Sequence, residues 1–181
     1  MIGLRRATPL DRAMLEYWDT KAHVASATGS DGGSDWAVEL GRDVDWCQSL
    51  IAEANGRPVA FVRIIDPARE ETRYWGHKVE PGFRAIDIWI GEEADLGRGY
   101  GTEIMRLVIE RCFDNRVVVA ILIDPLAANA AAIRFYQRLG FQFVERRRFG
   151  NDECCVYRLD RARWQGQAVN LVPGEHGQDQ K

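Results

Sequence analysis

Three glycines at alternate positions, Gly97, Gly99 and Gly101, stand between an apolar run at residues 86–90 and a run of helical apolar spacing, Ile104, Leu107, Val108 and Ile109. That order predicts strand, tight turn and helix in the middle of the chain. Alternating glycines let the backbone take positive φ and bring N–H groups close to a ligand. A helix N-terminus behind them adds unpaired donors and the positive end of the helix dipole, so the guest that suits residues 96–102 is a phosphate or pyrophosphate. The turn lacks the Lys-Ser/Thr of a Walker loop and the full spacing of the dinucleotide fingerprint. A CoA-type pyrophosphate fits it best; a plain strand-to-helix corner is the alternative.

The pattern around this unit alternates between strands and helices. Residues 2–6 form a first strand. Thr8, Pro9 and Asp11 make a capping-box pattern with proline at the first helical position, and Leu10, Met14, Leu15 and Trp18 give the helix an apolar face. Residues 25–33, small and glycine-rich, predict a mobile loop; a short helix from Ser34 carries Trp36, Leu40 and, at its far end, Val44. Asn55-Gly56 between residues 47–54 and 58–65 signals a hairpin. A polar connection over residues 66–82 holds Tyr74, Trp75 and Glu80, and residues 83–91 form a central strand. The glycine turn follows, with a helix to about residue 113. The β-branched run at residues 117–123 predicts a strand covered on both faces. Asn129 to Leu139 is a helix stopped by Gly140, and residues 141–149 and 153–159 pair as a last hairpin. The expected organisation is one domain over residues 1–164 and a polar, disordered tail over residues 165–181.

Composition serves mainly to exclude. A net charge of −3 over 181 residues gives no electrostatic case for nucleic acid or an anionic membrane. No apolar run is long enough to cross a bilayer, and the first residues lack the hydrophobic stretch of a secretory signal. Cys47, Cys112, Cys154 and Cys155 have neither metal spacing nor a disulfide framework, which reads as reduced thiols in a cytoplasmic protein. His23 and His77 have no partner pattern for a triad or a metal, so no metal is expected.

Asp87 is the residue whose place most needs a reason. Strand alternation puts Ile86, Ile88 and Ile90 on one face and Asp87 and Trp89 on the other. A carboxylate inside a hydrophobic central strand is costly to bury unless it is paired or used. One reading makes it a base or hydrogen-bond acceptor for a cationic amine; the other pairs it with an arginine such as Arg84. Burial would raise its pKa and a bound ammonium would lower it. The acidic residues Asp31, Asp35, Glu39, Asp43 and Asp45, with Glu80, Glu92, Glu93 and Asp95, suit a polycationic partner if they line a cleft, or are simply a solvated face. The run Arg146-Arg147-Arg148 lies on a strand and reads as an exposed edge.

Two motifs carry a resemblance. One is the strand-turn-helix at residues 86–109 with Gly97-x-Gly99-x-Gly101-Thr102; the other is Asn129-x-x-x-Ile133-x-Phe135-Tyr136-x-x-x-Gly140-Phe141. Together they resemble the GCN5-related N-acetyltransferase (GNAT) superfamily from Leu4 to about Leu159. The family's usual Gln or Arg at the start of the loop is Leu96 here. Within the superfamily, Tyr74-Trp75, residues 81–89 with Ile86-Asp87-Ile88-Trp89, and Asp124-Pro125 with Asn129 resemble aminoglycoside 6'-N-acetyltransferases. Enzymes that acylate siderophore hydroxylamines share much of the core pattern.

The resemblance implies a mixed α/β fold of about seven strands, helices on both faces, and a central parallel pair that splays to admit acetyl-CoA. The loop Gly97, Arg98, Gly99, Tyr100, Gly101 and Thr102 would hold the pyrophosphate, while Ile88, Trp89, Ile90 and Asn129 would hold the pantetheine arm. Asp87 would assist deprotonation. Tyr136 would protonate the departing thiolate; its alternative is a core tyrosine. Asp124 would bind a substrate ammonium, or cap the turn before Pro125. Trp75 and Glu80 would belong to the acceptor site. The implied reaction is direct attack of an amine on acetyl-CoA, with the 6'-amine of an aminoglycoside as preferred acceptor. A siderophore hydroxylamine, another small amine and a protein N-terminus are the other acceptors. A CoA-binding sensor without turnover is the non-enzymatic alternative. Monomer and homodimer are both compatible.

Overall fold

The computed structural model describes residues 1–29 and 34–169. Seven strands form one sheet: β1 (Ile2–Arg6), β2 (Cys47–Ala54), β3 (Arg57–Ile65), β4 (Phe83–Ile90), β5 (Ala120–Ile123), β6 (Gln142–Phe149) and β7 (Asp152–Asp160). Their order is β1-β2-β3-β4-β5-β7-β6. The β4–β5 pair is parallel and the other pairs are antiparallel. The helices are α1 (Arg12–Asp19), α2 (Ala22–Thr28), α3 (Trp36–Gly41), α4 (Tyr100–Asp114), α5 (Ala130–Arg138) and α6 (Arg161–Val169).

Strand alternation sorts the core into layers. Leu50, Ala52, Val62, Ile64 and Ile86 meet Ile104, Met105, Val108 and Ile109 of α4 and Tyr136 of α5 on one face. On the other face Ile51, Phe61 and Trp89 meet Leu15 and Trp18 of α1 and Trp36 of α3. A third cluster, including Ile65, Trp75, Ala85, Leu122 and Phe149, lies under the connection between β3 and β4. The helices therefore cover both faces, as the resemblance implied. The Asn55-Gly56 hairpin is present, with φ of 51° and 81° at the two turn residues, the left-handed values a two-residue turn of this kind needs. At the first helix start, the Thr8 amide and hydroxyl both donate to the Asp11 carboxylate, at 2.8 and 3.1 Å. Arg5 grips the same carboxylate with two bonds of 2.8 and 2.7 Å. Pro9–Asp11 is thus a 3₁₀ turn leading into α1.

Four expectations need correcting at element boundaries. Residues 25–28, expected as loop, belong to α2, because Val24 is buried and anchors a run of small helix-compatible residues; residues 30–33 lie outside the described residues. Helix α3 is capped by Asp35, whose carboxylate accepts from the Ala37 and Val38 amides, and it ends at Gly41, so Val44 is not on it. The strand expected at residues 117–123 begins only at Ala120: Val117 and Val119 are exposed, and a β-branched run alone did not reveal that. Helix α6 runs through the boundary expected at Trp164; residues 170–181 lie outside the described residues.

The feature that positions a site is the divergence of β4 from β5. They pair at Phe83↔Ala120, Arg84↔Ile121 and Ala85↔Leu122, and no further. Beyond Ala85, β4 continues to Ile90 with β3 alone. The Gly91 amide donates to the Val59 carbonyl at 2.9 Å, which sets the phase of that ladder. Because antiparallel hydrogen bonding alternates, the backbone of Asp87 and Trp89 bonds to β3, while the N–H and C=O groups of Ile88 and Ile90 face the gap. One of these carbonyls is already met: His23 Nε2 on α2 lies 3.0 Å from the Ile90 oxygen.

Candidate active site

The gap opens into a cleft of about 270 Å³. Its walls come from Asp87, Trp89, Ile86 and Ile88 of β4, Arg63 and Ile65 of β3, Asp124 after β5, Tyr136 of α5 and the Glu70–Trp75 part of the β3–β4 connection. Asp87, Trp75, Asp124, Tyr136, Ile88 and Trp89, all singled out from the sequence, are therefore brought together. Glu80 is not: it is exposed on the connection and does not line the cleft.

The acidic lining differs from the expected one. Glu39 pairs with Arg63 at 3.2 Å, Asp43 with Arg6 at 3.1 Å and Asp45 with Arg69 at 2.7 Å. Glu92 pairs with Lys21 at 3.1 Å, and Asp31 lies outside the described residues. The carboxyls that face the cleft are Asp19, Glu70, Asp87, Asp124 and Asp152, against the single guanidinium of Arg63. Three of these acids, Asp19, Glu70 and Asp152, were missed. They come from α1, the β3–β4 connection and β7, and only the tertiary fold gathers them. Arg63 was missed although the signal was there: like Asp87, it is a charge inside an apolar strand.

Asp87 has Arg63 as its cross-strand partner in register. Arg84, the pairing partner offered by sequence, instead bonds Asp66 at 3.1 Å and the Phe83 carbonyl. Burial pushes the Asp87 carboxyl above the ordinary carboxylate range; Arg63 pulls the other way and Glu70 adds to the rise. Burial, Asp87 and Asp124 push the Tyr136 phenol up as well. Tyr136 therefore keeps its proton at neutral pH and is a standing hydrogen-bond donor at the cleft. Asp124 accepts a 2.7 Å bond from the Tyr74 hydroxyl, and Tyr74 stacks on Phe149 with centroids 4.4 Å apart. Trp75 is buried against Phe149 at 5.3 Å and forms a rigid wall.

The other end of the gap is the glycine turn. Gly97 and Gly99 take φ of 72° and 84°, conformations that a side chain would strain. Gly99 is the N-cap of α4 and offers no side chain, so the Tyr100 and Gly101 amides are left to a ligand, while the Thr102 amide donates to the Gly99 carbonyl at 3.0 Å. A Cβ on Gly101 would touch Phe135 of α5 at 3.5 Å, so glycine here also permits close helix packing. Asn129 caps α5, its side-chain oxygen accepting from the Ala132 amide at 3.0 Å, which leaves its N–H groups as donors. The free edge of β4, the glycine turn and the open α4 terminus suit a long ligand with amide groups at one end and phosphates at the other.

Asp95 holds this turn in place. Its carboxylate is buried and takes two bonds from Arg57 of the β2–β3 hairpin, at 2.7 and 2.8 Å, with Arg98 at 3.7 Å. Asp95→Asn is expected to raise the acetyl-CoA KM by about tenfold, the effect of losing a charge-assisted pair, with kcat little changed. Steady-state kinetics at saturating acceptor checks it. Arg147, on edge strand β6, bonds the Trp75 carbonyl and Glu145. Among the described residues no cluster of His, Cys, Asp and Glu is arranged to hold a metal ion, and no helix is long and apolar enough to cross a membrane.

Splayed strands, glycine turn and a carboxylate beside the free strand edge define an acyl-CoA-dependent transferase. The family model "Acetyltransferase (GNAT) domain" matches residues 8–149, and the chain belongs to that family of acetyl-CoA-dependent N-acetyltransferases. It is 27% identical over 148 residues to the aminoglycoside N(6')-acetyltransferase type 1 of Klebsiella pneumoniae, covering 78% of this chain and 74% of that protein. Its fold matches a solved aminoglycoside acetyltransferase AAC(6')-Ib in complex with coenzyme A, with TM-score 0.82, 24% identity, and coverage of 93% of this chain and 99% of the other. A structure of AAC(6')-Ib with coenzyme A and kanamycin matches at TM-score 0.79, 24% identity and the same coverage.

Proposed function

We propose that this chain transfers the acetyl group of acetyl-CoA to the 6'-amine of an aminoglycoside, and so confers resistance to such antibiotics. The observation that carries this reading is the cleft: five carboxyls and one guanidinium around the free edge of β4. Carboxylates in a confined cleft concentrate and orient a polycation. The relatives named above are aminoglycoside acetyltransferases, which supports the same acceptor.

In this reading Ile88 and Ile90 offer backbone groups to the pantetheine, and the turn from Gly97 to Thr102 offers amides to the pyrophosphate. Asp87 accepts the proton of the attacking ammonium. Its raised affinity for protons makes it a better base than an exposed aspartate. A neutral amine attacks the thioester carbonyl, the C–N bond forms, the C–S bond breaks, and the proton that nitrogen sheds on becoming an amide passes through solvent to the departing thiolate, which leaves as the thiol. Tyr136 hydrogen-bonds that sulfur; its elevated pKa makes full proton donation to a thiolate uphill, so its contribution is electrostatic. Asp124, held by Tyr74, binds a second ammonium of the acceptor. Much of the acceleration comes from holding amine and thioester together.

The test is thiol release from acetyl-CoA with paired aminoglycosides that carry an amine or a hydroxyl at the 6' position. Release is expected with the amine alone. Equal release from both would overturn the regiochemistry. None from either, with acetyl-CoA still bound, would overturn the acceptor class and direct attention to hydroxylamines and peptides.

A further inference from the structure

Three buried side-chain atoms have no hydrogen-bond partner among the described residues: Arg63 Nε, Trp89 Nε1 and Glu70 Oε2. All three residues line the acceptor cleft. Two neighbouring polar atoms on these side chains are engaged. Arg63 Nη2 donates to Glu39 at 3.2 Å, and Glu70 Oε1 accepts from the Thr72 hydroxyl at 2.7 Å. Nor are Trp89 and Arg63 free to turn away. The Trp89 ring lies 4.7 Å from Phe61 and 6.2 Å from Trp36, and the Arg63 guanidinium is 5.6 Å from the Phe61 ring. Buried polar atoms are rarely left unsatisfied, and each exception calls for a reason. Here the exceptions fall in one place, as two donors and one acceptor.

The charges sharpen the point. An acid-lined cleft alone would take any polycation, a linear polyamine included. The Arg63 guanidinium in its wall works against that unless the acceptor brings an oxygen to it. Arg63 stands directly opposite Asp87 in the β3–β4 register, and Trp89 follows Asp87 by two residues on the same face. Both donors are therefore beside the position of the reacting amine. We infer that Arg63 and Trp89 read a hydroxyl next to the acceptor's reacting amine while Glu70 accepts from a further N–H or O–H, so that the cleft selects a hydroxylated amino sugar over a plain polyamine. The inference rests on the acetyl transfer proposed above and names the groups that set its specificity.

The experiment compares kcat/KM for a 6'-amino aminoglycoside with that for its 3',4'-dideoxy counterpart, with spermidine as a plain polyamine. The wild type is expected to favour the hydroxylated acceptor by about tenfold or more, because a site built around donors is left with them unpaired by the deoxy compound. Trp89→Phe removes one donor and keeps most of the ring; Arg63→Lys removes the Nε donor and keeps the charge near Asp87. Each is expected to narrow the preference by about threefold or more, chiefly by slowing the hydroxylated acceptor. Variants that slow both acceptors equally and leave the ratio intact would overturn the inference, since that is what a purely structural role predicts. A wild type that acetylates both forms, or spermidine, equally well would overturn it without any variant and leave the amine-acetylation reading standing. Absence of release from every amine would overturn that reading and this inference with it.

Discussion

Asp87→Asn is expected to lower turnover by about 10²- to 10⁴-fold, the range for loss of a positioned base, while acetyl-CoA binds as before. The acetyl-CoA contacts proposed above come from the backbone of Ile88 and Ile90 and from the glycine turn, none of which an amide at position 87 disturbs. Folding should not suffer, and the sign follows from burial. Burial raises the Asp87 pKa in the folded state, so between the unfolded and folded values the folded chain holds the proton more tightly. Stability then declines as pH rises through that window, and the deficit is complete above the folded pKa. Asparagine does not titrate and lacks this deficit. The variant is expected to be much slower yet at least as stable as the wild type at neutral pH, and closer to it in acid. The wild-type kcat/KM should fall as pH drops through the raised Asp87 pKa, and the residual activity of the variant should lose that limb. Isothermal titration with acetyl-CoA, denaturant melts across pH and initial rates make the comparison. Unchanged turnover would remove Asp87 from the chemistry, and a large loss of stability would make it a structural residue.

Sequence legibility followed the range of the interaction. The strand-turn-helix around Gly97 to Thr102 and the helix from Asn129 to its stop at Gly140 were readable because their cause lies within a few residues: φ > 0 at glycine, seen at Gly97, Gly99 and Gly140. Asp87 was readable as an anomaly, a charge within an apolar strand, and β4 places it on the cleft. Its partner was not. Arg84 is close in sequence but faces the other way and bonds Asp66, whereas Arg63 meets Asp87 only through the β3–β4 register. That register depends on how a long connection closes, and no local pattern encodes it. The acidic cleft shows the same limit. The dense run of acids at residues 31–45 attracted the substrate reading, yet Glu39, Asp43 and Asp45 are taken up by arginines. The acids that face the cleft are scattered from Asp19 to Asp152. Glu80 failed for the related reason that an exposed connection fixes where its buried members go, Trp75 among them, and leaves its polar members in solvent.

Gly91→Ala is expected to destabilise the fold by about 3 kcal/mol, which for a chain of this size lowers Tm by about 6–12 °C. Gly91 has no left-handed φ to require glycine, so space alone sets the effect. A Cβ there would lie inside 3.0 Å of three atoms of the Trp18 indole. Trp18 is 2% exposed and belongs to the cluster with Leu15, Trp36, Ile51 and Phe61, so the ring cannot swing aside without disturbing the whole layer. Nor can the backbone yield freely, since the Gly91 amide is bonded to the Val59 carbonyl at 2.9 Å. Whatever displacement relieves the clash passes to the end of β4. There the Ile90 carbonyl is held by His23 at 3.0 Å, and the chain goes on into the turn at residues 96–102. A rise in the acetyl-CoA KM is therefore expected together with the loss of stability, from a substitution that touches no proposed ligand group. Trp18→Leu separates the causes. By itself it opens a cavity and destabilises, but combined with Gly91→Ala it removes the obstructing ring. The double variant is expected to be more stable than the sum of the single losses predicts, by at least about 1 kcal/mol. Strict additivity in denaturant melts would show that Trp18 is not what excludes a side chain from position 91.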